Sequence, residues 1–450
     1  MTDIFRNRNP IARISMMTLL LVVMFLVETS RKDLFAQPLV PGPGEFTLAQ
    51  CLDMAKAQSP VLASRRHQLE AARARAWSGV AGLLPSVSGS GSVTRSSGTV
   101  GGGSSLFGNP SATSLNTNYS LGLSGQVPLF DLNAWATVGS RQASLVQAQA
   151  LTDQEERDLT YNVSLAYLTL QLRQENLSVA DTAVSIARIH LEQAQSRFQI
   201  GLAPQLEVFQ AKSALASAQA DEIDAQNAVA LAWQDLGRSL GREVQGTGRV
   251  TPFQSLAPVP APPESVSMET IHRLPEWQAA KAQEDQSISA RTAAWARIVP
   301  SLDATGRLGY SGSEFPLGHS WSAGLSLSWN LFDSWSSQSG IRAAGEDLES
   351  RRQDNQDLYL SLRQSLENSR LTLLSAGRKL DASQDAVTFS REAYRLAEGR
   401  YQNGAGSAIE QEDARLNFIK ARYSQTSSTF DYLKAKATWE RYTLPLPSER

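Results

Sequence analysis

Apolar residues return every third or fourth position through two long stretches of this chain, and every second position through four short ones. In the first long stretch Leu159, Val163, Leu170, Ala180, Ala187 and Ala194 mark the stripe, and Arg173 is its one charged member. The same register returns at Leu362, Leu366, Leu373, Leu380, Val387 and Tyr401. A period of about 3.5 residues is the seam of packed helices, and the Ala and Ser positions along it allow close approach. Unbroken from Asn133 to Phe198, such a helix would run about 100 Å. The stripe resumes in Ala211, Leu215, Ala218, Val229, Ala232 and Leu236, so the chain turns and comes back along itself. These helices read as a structural rod.

The short stretches alternate instead. Val87, Gly89, Gly91 and Val93 share one face and Ser88, Ser90 and Ser92 the other. Tyr119 to Leu129, Leu302 to Tyr310 and Trp321 to Leu331 repeat the pattern, each with small polar residues between the apolar ones. Each is roughly the 9–11 residues that a tilted transmembrane strand needs, with aromatics towards the ends. A pair of soluble hairpins with one packed face is the alternative, but the sequence has no further strand pattern for them to pack against. Membrane barrels begin at about 8 strands, so four from one chain cannot close one, and several copies would have to pool theirs. Phe46 to about Gly82 reads as one helix, and Ser96–Asn118 as an exposed Gly/Ser/Asn-rich loop.

The chain is internally duplicated. Gly201 and Pro204 sit where the first long helix must stop and its partner begin, and Gly404 sits at the matching place later. Aligning Gly201 with Gly404 also aligns Arg197 with Arg400, Phe198 with Tyr401 and Glu207 with Glu410. Pro60 falls on Pro275 and Pro85 on Pro300 without a gap. Pro128-Leu-Phe130-Asp131 falls on Asn330-Leu-Phe332-Asp333, which places each Asp where a carboxylate can accept from free helix N–H groups. The organisation is therefore a leader at 1–36, a first repeat at 37–241, a proline-rich linker at 242–267 and a second repeat at 268–450. The fold class is mainly α, with long helical hairpins and four strands per chain.

Composition narrows the function by exclusion. Lys plus Arg number 42 against 44 Asp plus Glu, which does not point to nucleic acid. One cysteine and 4 scattered histidines give no disulfide and no metal-ligand pattern, and no cofactor is implied. No nucleophile elbow or phosphate loop is found, so an enzyme is not expected. Arg6, Arg8 and Arg13 precede an apolar run from Ile14 to Val27, the build of an export signal, with Ala36 before Gln37 the best cleavage site. An N-terminal membrane anchor is the other reading. Leu48-Ala-Gln-Cys51 looks like a lipobox, but Pro41-Gly-Pro-Gly44 separates it from the apolar run, and Cys51 is expected to be buried on a helix.

These features together resemble the TolC family of outer-membrane efflux and secretion channels. The likeness rests on the repeated helix–strand–strand–helix–helix order, the Leu-Phe-Asp junctions, and the tip Gly201-Leu-Ala-Pro-Gln-Leu-Glu207. It implies a homotrimeric α/β-barrel in which twelve pooled strands cross the outer membrane and the helices form a periplasmic tunnel. It also implies a tip that meets an inner-membrane transporter through a periplasmic adaptor protein. By motif, Glu410 and Asp413 would form acidic rings at the entrance, with Glu207 the acidic position of the first tip and Tyr401 an aromatic that helps hold the entrance closed. Gly406 stands where some members carry a basic latch residue. A periplasmic coiled-coil adaptor or scaffold is the competing function, although it leaves both strand pairs unexplained. A porin would need many more strands and no long helices.

Overall fold

Proline breaks the first predicted helix. In the computed structural model, which describes residues 47–99, 113–242, 250 and 268–443, α1 (Leu48–Gln58) and α2 (Pro60–Ala81) replace the single helix that the pattern predicts. Pro60 lacks an N–H and restricts Ser59, which ends α1 at φ −62° and ψ 117°. Ser59 then caps α2, its Oγ accepting from the Leu62 N–H at 3.3 Å. The second half does the same: Pro275 separates α5 (Met268–His272) from α6 (Pro275–Ala296), with Leu274 extended between them.

Strands β1 (Ser86–Thr99), β2 (Thr113–Phe130), β3 (Ser301–Gly312) and β4 (Gly318–Ser328) form one antiparallel sheet in chain order. The first pair is longer than its hydrophobic pattern and takes in part of the predicted Ser96–Asn118 loop, because Ser, Thr and Asn continue the ladder at Thr94–Asn118 and Ser96–Asn116. The register fixes two faces. Gly89, Leu123, Leu308 and Trp321 lie in one row of the apolar face, and Ser88, Ser124, Arg307 and Ser322 in one row of the polar face. Leu121 and Leu123 lean into the space left by Gly91 and Gly89, while Ser88 and Ser124 share a hydrogen bond at 2.8 Å. Nothing among the described residues covers the apolar face: Leu123 is 53% exposed and Leu325 71%. The outer edges of β1 and β4 have no partner strand among them either.

Two long hairpins follow the strands. They are α3 (Leu132–Gln199) with α4 (Gln205–Ser239), and α7 (Ser336–Gln402) with α8 (Ala408–Thr443). The two junctions differ despite their shared Leu-Phe-Asp. Phe130 ends β2 and Asp131 is the N-cap of α3, accepting from the Asn133 N–H at 2.8 Å. Phe332 instead lies in an exposed connection, and Asp333 stands two residues before the cap position, with Ser334 and Trp335 at φ 56° and 68°. Its carboxylate still accepts from the Ser337 N–H at 2.8 Å and from the Ser337 hydroxyl.

The α7 seam is buried from Leu362 to Val387, with Ser369 and Ser383 inside it. In α3 a second stripe of Tyr167, Gln171, Val179, Ala183 and His190 is buried as well, because α3 packs against α2, α6 and α8 in addition to α4. Arg173 and Phe198, both placed on the seam by spacing, are exposed. The core of the first half joins α1, α3 and α4 through Cys51, Val163, Tyr167, Leu170, Trp233 and Leu236. Cys51 is fully buried, and burial pushes its thiol up to about 11. Val250, inside the proline-rich linker, is buried in the same core and donates its N–H to Gln174 at 3.3 Å. Residues 243–249 and 251–267 of that linker lie outside the described residues, as do 1–46 with the leader reading. The halves are tied by Arg441 of α8, which pairs with Asp158 at 2.6 Å and Glu276 at 3.4 Å. No helix among the described residues is long and apolar enough to cross a membrane.

Gly241 closes α4 at φ +76°, and a Cβ there would lie 2.9 Å from the Gln58 carbonyl and 3.0 Å from Pro60. Gly241→Ala should therefore cost the left-handed penalty of roughly 1–2 kcal/mol, with the clash in addition. Gly399 sits inside α7 with open space around it, so Gly399→Ala should gain up to about 1 kcal/mol of helix propensity. Apparent melting temperatures of the purified variants should move in opposite directions, and equal shifts would refute the assignment.

Candidate functional site

The two hairpin ends are built the same way. Gly201 and Gly404 have φ of +78° and +74°. The N–H groups of Leu202 and Ala405 reach back to the carbonyls of Arg197 and Arg400, each at 2.8 Å, which closes both helices with a Schellman turn. The first returning helix starts after Pro204, which has no side chain to cap it. The second is capped by Ser407, whose Oγ accepts from the Glu410 N–H at 3.1 Å. Around these ends Ile200, Leu202, Leu206, Phe209 and Ile409 are exposed.

Side chains then join one end to the other. Tyr401, only 2% exposed, donates its hydroxyl to the Glu207 carboxylate. The Arg197 guanidinium lies over the Tyr401 ring at 4.5 Å and donates to its backbone carbonyl at 2.9 Å. The rings of His190 and Tyr401 meet in an edge-type arrangement with centroids 6.0 Å apart. Burial, together with the Glu207 carboxylate, raises the Tyr401 pKa, so the phenol stays protonated as a donor. Burial also lowers His190, with Arg415 adding to the effect and Glu412, Glu207 and Glu398 opposing it. The imidazole Nε2 has no hydrogen-bond partner among the described residues. Gly406 packs against the same turn, where a Cβ would come within 3.1 Å of Arg400 and 3.2 Å of the Tyr401 N. The place of a basic residue is taken by backbone, and the cation in contact with Tyr401 is Arg197 from the other hairpin.

The acidic residues separate into two kinds. Glu410 and Asp413 are exposed on α8, and Glu410 is 3.5 Å from Arg400. Two such exposed ions interact weakly, by about 0–1 kcal/mol, so this pairing does not remove the charge from the surface. Glu412 turns inward to buried Arg415, and Glu207 is half-buried against Tyr401. Sequence alignment gives Glu207 the same kind of acidic position as Glu410, but only Glu410 and Asp413 present free surface. The contacts of Arg197 and His190 are not evident from spacing, since they depend on how the two hairpins lie side by side. His190 did carry a signal, falling three residues after Ala187 and four before Ala194 on an otherwise small-residue stripe.

The model of the family described as outer membrane efflux protein matches residues 51–242 and 266–442. The outer membrane protein TolC of Vibrio cholerae is 21% identical over 402 residues, 86% of this chain and 88% of that protein. The pyoverdine export outer membrane protein OpmQ of Pseudomonas putida is 25% identical, over 86% of this chain and 83% of its own length. Among solved structures, the CmeC outer membrane channel of Campylobacter jejuni superposes with a TM-score of 0.80 at 17% identity, covering 88% of this chain and 85% of that one. The open state of the MtrE outer membrane channel of Neisseria gonorrhoeae gives 0.76 at 20%, covering 88% of each.

Proposed function

Because the chain belongs to the outer membrane efflux protein family, we propose that three copies close one duct running from the outer membrane into the periplasm. The chain is an outer-membrane efflux channel, a passive conduit and not an enzyme. One observation supports the assembly above the rest: a four-stranded sheet whose apolar face is uncovered and whose two edges are unpaired among the described residues, joined to long helices buried along their seams. The apolar face meets outer-membrane lipid, and β4 of one copy pairs with β1 of the next. The polar face and the helices then line the water path. The tips, with Ile200, Leu202, Leu206, Phe209 and Ile409 exposed, are the surface for a periplasmic adaptor and an inner-membrane transporter. Tyr401, Glu207 and Arg197 hold each tip drawn together.

In this assembly Glu410 and Asp413 form rings of carboxylates at a narrow mouth, which attract cations and repel anions. Replacing both with Ala should reduce cation selectivity in planar-bilayer recordings and weaken block by multivalent cations. The difference from wild type should shrink as salt shortens the screening length from about 8 Å at physiological strength. Glu412→Ala should leave selectivity nearly unchanged, since that carboxylate faces Arg415. Wild-type selectivity in the double variant, or an equal loss at Glu412, would count against this mouth.

A further inference from the structure

The polar face of the sheet is almost free of charge. Among its described residues it carries Ser, Thr, Asn, Gln, Gly and Pro, with two exceptions on β3, Asp303 and Arg307. Asp303 accepts from Gln126 Nε2 at 3.3 Å, which holds its carboxylate against the sheet. Arg307 is exposed, and its row partners across the ladder are Ser124 and Ser322. These serines are too short to reach past the strands, so the guanidinium is the longest group on that row. It sits near the middle of β3 (Ser301–Gly312), well away from either end of the span.

We propose that Arg307 is a specificity-determining residue of the barrel, with three guanidiniums at one level forming an anion-attracting collar in the lumen. This rests on the three-chain duct proposed above. A guanidinium is always charged and presents several N–H donors in a fork that matches carboxylate, sulfate and phosphate oxygens. The collar therefore favours cargo or permeant ions bearing such groups. Asp303 lies four residues away on the same strand, about 13 Å along it. That is beyond the screening length of about 8 Å, so it does not cancel the collar. The acidic mouth lies at the far end of the long helices and acts on cargo separately, so the duct carries opposite charge at its two ends.

The experiment uses the assembled channel in planar bilayers, with inositol hexakisphosphate as the polyanion added from the side of the strand-connecting loops. Wild-type current should be blocked, and Arg307→Gln should weaken that block roughly tenfold, the size expected for losing one to two unit-charge contacts at about 4 Å in water. Arg307→Lys should retain most of it. Arg307→Cys and Leu308→Cys provide the control for the duct itself, because the native Cys51 is fully buried. A membrane-impermeant trimethylammonioethyl thiosulfonate, whose charge is permanent, should label Cys at 307, restore positive charge and restore block, while Cys at 308 stays unlabelled in lipid. If labelling follows this pattern but Arg307→Gln blocks like wild type, the collar is overturned and the duct stands. If both positions label alike, the barrel reading falls and the collar with it.

Discussion

Leu325→Arg should prevent assembly in the outer membrane, while Ser326→Arg, one residue further on, should be tolerated. Side chains alternate across a strand, and the ladder sets Leu325 opposite Ala304 on the apolar face and Ser326 opposite Asp303 on the polar face. An arginine on the lipid face costs about 2–4 kcal/mol at the bilayer midplane and less towards either interface. That cost recurs in every copy, so a trimer bears it three times. The same arginine at 326 would face water with a carboxylate opposite. The measurement is the yield of heat-resistant oligomer in isolated outer membranes. Equal yields from the two variants would mean that the sheet does not span a bilayer.

Tyr401→Phe and Arg197→Ala should loosen the tips and raise single-channel conductance. Tyr401→Phe removes a hydrogen bond to a carboxylate, an interaction of about 1.5–3 kcal/mol. It also leaves Glu207 half-buried without that donor. Arg197→Ala removes both the cation over the Tyr401 ring and the bond to its carbonyl. If the three tips move together, these losses add over the chains and shift the ratio of closed to open channels by orders of magnitude. Phe198→Ala is the control: it matches Tyr401 in the repeat but is 45% exposed, and it should change conductance little. Unchanged conductance in Tyr401→Phe would show that this contact does not hold the entrance.

Period and duplication made most of the architecture legible. The seam through Leu362, Leu366, Leu373 and Leu380 could be read because helix packing imposes one spacing on many residues in succession. The strand faces were equally plain, since a ladder keeps strict alternation. Chemistry local to one residue was harder to read. Pro60 splits a helix that the apolar pattern carries straight through, and its signal is the missing N–H rather than hydrophobicity. The first strand pair outruns its apolar residues because Ser, Thr and Asn pair by backbone just as well. Repeats also mislead when the halves have diverged. Asp131 and Asp333 align, yet one is a cap and the other reaches into the helix from two residues further out. Phe198 and Tyr401 align, yet only Tyr401 is buried between the hairpins. The tip contacts depend on the lateral register of two hairpins, a tertiary quantity that no single stretch of sequence encodes.

The proposed duct is closed by three copies of the chain, and the intact mass of the particle extracted from outer membranes reads that number. Native mass spectrometry in mild detergent should give a species of three chains, each 48.9 kDa less any removed leader, recovered with the outer-membrane fraction. Fully folded single chains in the soluble periplasmic fraction would contradict it.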